Sequence, residues 1–345
     1  MRYRITTVFL IVVVITTGLQ VALASANQAK GNFEGQQRVI SPAKGAYKDG
    51  GSRVFLPLVL ANNTSEAPTP VPPTPTSTRV PAAGLFGILS SSPAGFPTIA
   101  SLGGRITSVP GHLAPSDLQA ALDAARGQGL GLIARGPGST AFTDGTKLNF
   151  TKLQSVAQNV FGDNDIASDP SFIGWYIIDE PCADWKYDIA PAEFRQFYET
   201  IKGVDPNITV IVNFSWLQCA ENLQAANYVD IAALTITVNR PKDHYASQAE
   251  IAARLKAVNP DLKVVVWIAV YEYPARRVPI PSADWVREKG MEVLQYDVFD
   301  GVMFYPWQPG ASYFGATIQD VADDPEYISA FNDVFDAAME KFGGE

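Results

Sequence analysis

Eight short apolar runs, each followed by a segment of helical periodicity, occupy the 262 residues from Gly84 to Glu345 of this 345-residue sequence. They are Leu85 to Leu89, Arg105 to Val109, Leu130 to Ala134, Gly174 to Ile178, Thr209 to Phe214, Ile231 to Val238, Val264 to Tyr271 and Val302 to Tyr305. Runs dominated by Val, Ile and Leu read as strands buried on both faces, the condition of a parallel sheet. Between them, Leu118, Ala121, Leu122 and Ala125, then Phe194, Phe197, Tyr198 and Ile201, then Ile328, Phe331 and Phe335 repeat at helical spacing. Eight strand–helix units in a segment of this size predict an α/β protein, a closed (β/α)8 barrel, which typically takes ~250 residues. A doubly wound open sheet would alternate in the same way. It usually carries a Gly-rich phosphate loop after its first strand, where this chain has Leu89-Ser90-Ser91-Ser92-Pro93.

Local signals agree with the alternation. Pro191 suits a first helical position, Ser282 an N-cap and Gly127 a helix stop. The first unit is thin, because Pro97 to Leu102 barely makes two turns. An internal echo also appears: Ile201 to Val212 recurs 54 residues later as Leu255 to Val266, an offset of two strand–helix units. In both copies a proline stops the helix and Asn or Asp turns the chain into a buried parallel strand.

The N-terminal part reads differently. Arg2 and Arg4 precede an apolar run from Val8 to Ile15, and Ala24-Ser25-Ala26 supplies the small-residue cleavage pattern of a secretory signal peptide, assigned to residues 1–26. The run is too short for a membrane span, so no stable membrane insertion is expected after cleavage. Residues 27–83 are expected to form a disordered stalk that ends in a Pro/Thr/Ser-rich linker from Ser65 to Pro81, a composition that favours extended geometry and packs no core. The barrel domain is then 84–345. A secreted or cell-surface protein, monomeric, is the expectation.

Charge narrows the partner. A net charge of −9 gives no basic face for nucleic acid or anionic lipid. With two histidines, His112 and His244, the multi-histidine metal sites of many barrel hydrolases cannot be assembled, and neither a metal nor a cofactor is expected. Cys182 and Cys219 fall in loops after strands four and five, where a structural disulfide suits them better than a reactive thiol.

Active sites of such barrels lie at the C-terminal strand ends. Strand four ends in Gly-Trp-Tyr-Ile-Ile-Asp-Glu-Pro, where two carboxylates, Asp179 and Glu180, break an apolar run before Pro181. Strand seven ends in Tyr271-Glu272-Tyr273-Pro274. These strands stand on roughly opposite sides of an eight-stranded ring, so inward side chains can approach the ~5 Å separation that a retaining glycosidase needs. Asp179 alternates with Glu180 and is expected to point into the barrel wall or helix layer, orienting its neighbours.

On these residues the sequence resembles the clan A glycoside hydrolases, barrels with an acid/base Glu at the end of strand four and a nucleophile Glu at the end of strand seven. The matches are Asp179-Glu180-Pro181, where the clan has Asn-Glu-Pro, the Glu of Tyr271-Glu272-Tyr273, and an aromatic at the end of strand eight in Phe304-Tyr305-Pro306-Trp307-Gln308. The resemblance implies Glu180 as acid/base and Glu272 as nucleophile in hydrolysis of a β-linked oligo- or polysaccharide. The chain departs from the pattern at Asp179 and in having no arginine at the end of strand two.

Exposed rings that stack on sugar faces are the second expected ingredient. Trp185, Trp216, Tyr273, Tyr305 and Trp307 sit at or beyond strand ends, with Trp307 the best subsite platform and Gln308 and Asn213 as hydroxyl-binding groups. Trp175, Trp267 and Trp285 lie inside elements and are assigned to core packing. Arg135, ending strand three, either binds substrate or clamps Asp179 or Glu180. For Glu272 the competing role is an ion pair with Arg276 or Arg277. Two alternatives to the retaining enzyme stay open: a barrel that binds glycans without turnover, and an inverting glycosidase in which Glu180 works with another carboxylate such as Asp184 or Asp188.

Overall fold

A computed structural model describes residues 84–89, 92–109, 114–162, 164–181, 189–214, 223–237, 244–308 and 314–343. The signal-peptide and stalk assignments, together with His112, Cys182, Asp184, Trp185, Asp188, Trp216 and Cys219, lie outside the described residues.

The eight expected strands are all present: β1 (Leu85–Ile88), β2 (Ile106–Val109), β3 (Gly131–Arg135), β4 (Phe172–Asp179), β5 (Val210–Asn213), β6 (Ile231–Ile236), β7 (Lys263–Ala269) and β8 (Gly301–Tyr305). Every neighbouring pair is parallel, and β1 pairs with both β2 and β8, which closes the barrel. Around it lie α1 (Phe96–Ser101), α2 (Pro115–Gly127), α3 (Phe150–Phe161), α4 (Pro191–Lys202), α5 (His244–Val258), α6 (Ala283–Leu294), the one-turn α7 (Ile318–Val321) and α8 (Pro325–Phe342). Between β5 and β6 the described residues hold a short 3-10 turn, Leu223–Tyr228. The protein is a (β/α)8 barrel. Among the described residues, no helix is long and apolar enough to cross a membrane.

Helix boundaries follow the local chemistry. Pro191 opens α4, and the Ser282 hydroxyl accepts from the Trp285 amide at the start of α6. Strand periodicity divides the core in two. One set of side chains, including Leu85, Ile106, Ile133, Ile173, Ile211, Ile231, Val265, Trp267 and Met303, fills the barrel interior. The alternate residues, such as Val210, Val212, Val264, Val266, Val302 and Phe304, pack against the helices.

The sequence echo is also a structural repeat. In the first copy the Asn207 amide donates to the Asp205 carboxylate (2.8 Å), and in the second the Asp261 amide donates to the Asn259 side chain (3.2 Å). Lys202 at the end of α4 pairs with Asp230 (2.9 Å), whose second role is to accept from the Val210 amide at the start of β5 (2.7 Å). Lys256, the equivalent of Lys202, pairs with Asp300 (2.7 Å), which accepts from the Val264 amide (2.7 Å). Each clamp ties a helix end to the start of one strand through the residue that precedes the next strand.

Candidate active site at the barrel mouth

Strand β4 departs from regular alternation early, because its pairing with β3 already skips Ile173. Ile173 and Tyr176 face the barrel interior, while Trp175 turns outward against Phe161, ring centroids 5.1 Å apart. The pairing with β5 then shifts register between Tyr176 and Ile178. Ile177 and Ile178 both pack on the helix side, so one extra residue is absorbed as a bulge and the alternation reverses. This corrects the expected orientation of Asp179: it lands on the face of Tyr176, not in the wall.

There Asp179 is the hub of a polar chain. Asn213 Nδ2 donates to Asp179 Oδ1 (2.7 Å), and the Thr235 hydroxyl donates to Asn213 Oδ1 (3.0 Å), which fixes the amide so that its NH2 points at the carboxylate. Gln248 Nε2 on α5 donates to the Thr235 carbonyl (3.2 Å). The Tyr176 phenol also hydrogen-bonds Asp179. Burial first, and then the negative charge of Asp179, push this phenol well above its ordinary range, with Arg135 opposing the shift. Tyr176 therefore remains a donor at every pH at which the fold is of interest. Arg135, from the end of β3, lies over the Tyr176 ring at 5.8 Å.

Glu180 follows directly, half-buried, with its amide donating to the Asn213 carbonyl (2.8 Å). Its φ of 55° is left-handed, a conformation that costs a non-glycine residue on the order of 1 kcal/mol and that clusters at functional sites. The bond to β5 and the buried Pro181 hold the chain in it.

On the opposite side, β7 sends Trp267 inward until it meets the Tyr176 ring edge-on, at 4.7 Å between centroids. Tyr305 of β8 joins at 6.4 Å from Trp267, and Tyr271, two alternations beyond Trp267, stands 6.2 Å from Tyr305 and 4.3 Å from Phe314. Past β7 the chain pairs antiparallel with the segment after β8. The Glu272 amide donates to the Ala316 carbonyl (2.7 Å), the Gly315 amide to the Glu272 carbonyl (3.0 Å), and the Ala316 amide to Glu272 Oε2 (3.1 Å). A Cβ on Gly315 would stand 2.2 Å from that same Oε2, so only glycine leaves room for the carboxylate. Glu272 makes no ion pair with Arg276 or Arg277 among the described residues. Arg276 instead lies over the Tyr273 ring at 5.2 Å.

Of the residues singled out by sequence, Asp179, Glu180, Arg135, Asn213, Tyr273 and Tyr305 gather at this mouth, and Glu272 stands at its edge with the side-chain parity opposite to that of Trp267 and Tyr271. Trp307 is a correction. It is 4% exposed and packs in the helix-side core, and its backbone joins Leu89, Thr317 and Gln319, so it anchors the chain after β8 and is no open platform. Gln308 beside it is half-buried. Trp267, assigned to packing, does pack: it is 4% exposed and belongs to the barrel-interior core beneath the mouth. Tyr176, Tyr271, Thr235, Gly315 and Phe314 were not anticipated. For Tyr271 a signal existed, since it shares the inward parity of Val265 and Trp267. Among the described residues no group of three or more His, Cys, Asp or Glu side chains comes together to hold a metal ion.

No family model matches the sequence, and no curated protein matches it either. Solved structures do resemble it. A glycoside hydrolase family 5 mannosidase from Rhizomucor miehei aligns over 73% of this chain and 88% of its own, with 11% identity and a TM-score of 0.51. A psychrophilic glycoside hydrolase family 10 endo-β-1,4-xylanase aligns over 72% and 96%, with 11% identity and a TM-score of 0.51. A β-galactosidase from the psychrophilic Marinomonas ef1 gives a TM-score of 0.56 at 10% identity over 75% of this chain, which spans 60% of that longer protein. At such identities the likeness concerns architecture, and the chain shares with these glycoside hydrolases one fold, the closed eight-stranded parallel (β/α)8 barrel.

Proposed function

We propose that the protein is a secreted or cell-surface glycoside hydrolase acting on β-linked oligo- or polysaccharide, with Glu180 as general acid/base and Glu272 as nucleophile of a retaining mechanism. The observation that carries this reading is the contact of Tyr176 with Trp267: side chains from opposite strands meet over the barrel axis at 4.7 Å, beneath the two strand ends that bear Glu180 and Glu272. Above this buried contact the partly exposed rings of Tyr176, Tyr271 and Tyr305 offer surfaces on which a sugar can pack while a glycosidic oxygen is protonated. Glu180 then gives its proton to the leaving oxygen as Glu272 attacks the anomeric carbon. Water, deprotonated by Glu180, releases the sugar from the Glu272 ester. Asn213 and Thr235 hold Asp179 so that it orients the mouth.

A second reading rests on the parity of Glu272 and on its bond from Ala316. In it Glu272 is a clamp between the ends of β7 and β8, and Asp179, the carboxylate on the inward face of β4, takes part in the chemistry with Glu180. One experiment separates the two: hydrolysis of a panel of plant and microbial glycans by the wild type and by Glu180→Gln, Glu272→Gln and Asp179→Asn, with product anomers read by NMR. The first reading expects a retained anomer and losses of about 10²-fold or more in both Glu variants. An active Glu272→Gln variant beside an inactive Asp179→Asn variant supports the second. Binding without turnover by the folded wild type overturns both in favour of a glycan-binding barrel. Cell fractionation, with the protein in the medium or on the surface, tests the location.

A further inference from the structure

The rings of the mouth do not stop at its floor. From Tyr305 they continue through Tyr271 at 6.2 Å to Tyr273 at a further 6.5 Å, and the series ends with the Arg276 guanidinium 5.2 Å above Tyr273. The turn that carries Arg276 is closed on itself. Tyr273 and Val278 exchange backbone hydrogen bonds (2.8 and 3.2 Å), and the Arg276 and Arg277 amides donate to the Tyr273 and Pro274 carbonyls, both at 3.0 Å. Arg277 occupies the corner at φ 56°, a left-handed position where glycine or asparagine is the usual choice and a long side chain carries strain.

Two adjacent cations are thus held on a rigid, exposed corner, and neither has a carboxylate within ion-pair distance among the described residues. Several other cations of the described surface are paired, Lys152 with Asp144, Arg195 with Glu199, Arg287 with Asp333 and Lys341 with Asp297, while exposed Arg105 and Arg254 stand singly, not as neighbours. In a chain of net charge −9, two neighbouring unpaired arginines run against the overall balance, and they stand where the aromatic series leaves the mouth. A guanidinium presents a fork of N–H donors that matches a carboxylate or sulfate, and a cation already held over a ring loses less freedom on binding an anion than one on a mobile stem.

We infer that Arg276 and Arg277 form an anion subsite at the rim, which selects saccharides bearing an acidic group next to the sugar that occupies the mouth. The inference deepens the carbohydrate reading and rests on it. It narrows the expectation from overall charge, because two adjacent arginines stand at the rim although the protein as a whole is acidic.

The test is binding, which needs no turnover. Affinity electrophoresis compares glucuronoxylan and polygalacturonate with their carboxyl-reduced forms, and carboxymethyl-cellulose with hydroxyethyl-cellulose, at low and high salt. The wild type is expected to bind at least one acidic glycan tenfold or more tighter than its neutral counterpart, and 0.5 M NaCl should erase the difference. The Arg276→Ala/Arg277→Ala variant should bind both forms alike while keeping the wild-type melting temperature. Arg276→Lys/Arg277→Lys should recover part of the preference, and Arg254→Ala, on an exposed position of α5, should leave it intact. Equal wild-type binding to acidic and neutral forms, or a preference that survives the double alanine variant, overturns the subsite and leaves the carbohydrate reading standing. Failure to bind any glycan overturns both.

Discussion

The two ends of the barrel handle charge in opposite ways. At the N-terminal ends of β5 and β7, Asp230 and Asp300 each satisfy a lysine and a backbone amide, and Lys202 and Asp230 are buried to 7% and 11% side-chain exposure. At the C-terminal end, Glu272 receives one backbone amide, Glu180 sits in a left-handed conformation, and two rim arginines go unpaired among the described residues. A buried charge needs partners or it destabilises the fold. The lower end supplies them twice over through a repeated clamp. The upper end gives Glu272 a backbone dipole from Ala316 in place of such a clamp. Paired, buried charges are concentrated at one end and the candidate site residues at the other.

The comparison breaks most visibly at Asp230. Asp230→Ala takes the counter-charge from the buried Lys202 ammonium, which keeps its bonds to the Pro206 and Ile208 carbonyls, and frees the Val210 amide, and it should cost about 3 kcal/mol in urea unfolding. Glycan binding per folded molecule should not change. Equal damage to binding and stability would mean that the two ends are not separable. Asp300→Ala should cost less, because Lys256 and Asp300 are 23% and 20% exposed and water replaces part of the pair.

Gly315→Ala sharpens the contrast from the other side. Its methyl group would overlap the Glu272 carboxylate, so overpacking should cost about 1–3 kcal/mol, and Glu272 should be pushed off the Ala316 amide. In the retaining reading the variant loses far more turnover than binding. Unchanged turnover, with only the stability loss, would favour Glu272 as a clamp.

The smallest effect is a pH slope. Burial and the nearby Asp230 raise the Tyr198 phenol well above its usual value. Below about pH 10 the folded and unfolded chains both keep this proton; above it the unfolded chain releases the proton and the folded chain does not. Stability therefore falls as pH rises from about 10, by up to about 1.4 kcal/mol per pH unit for each such tyrosine. Tyr198→Phe should flatten that slope in denaturation measured between pH 9 and 11. At neutral pH it should cost only about 1 kcal/mol for the lost bond to Asp230. A slope unchanged by the substitution would place the alkaline sensitivity elsewhere.

Much of the architecture was legible because parallel barrel strands are buried on both faces. Their apolar runs need no partner to be recognised, and all eight fall within a few residues of their expected limits. The echo of Ile201 to Val212 at Leu255 to Val266 was visible as text, and it proved to be the repeated clamp. At the mouth, strand-end position alone was enough to single out Glu180, Glu272, Arg135 and Asn213. Orientation was not legible. Asp179 was placed in the wall because it alternates with Glu180, and the two register shifts of β4 together with the left-handed Glu180 break that rule. Trp307 was read as open because it follows a strand, yet the hydrogen bonds of its backbone to Leu89, Thr317 and Gln319 draw it into the core.

The sequence by itself therefore determined the class of fold, the number of strands and the residues that stand at their ends, since these depend on local hydrophobic period and on where an apolar run stops. Only the tertiary structure decided which of those residues face one another. The bulge in β4, the antiparallel pairing of Glu272 with Ala316 and the meeting of Tyr176 with Trp267 all arise from contacts between segments distant in the chain, and no local pattern of side chains encodes the side from which a distant partner approaches.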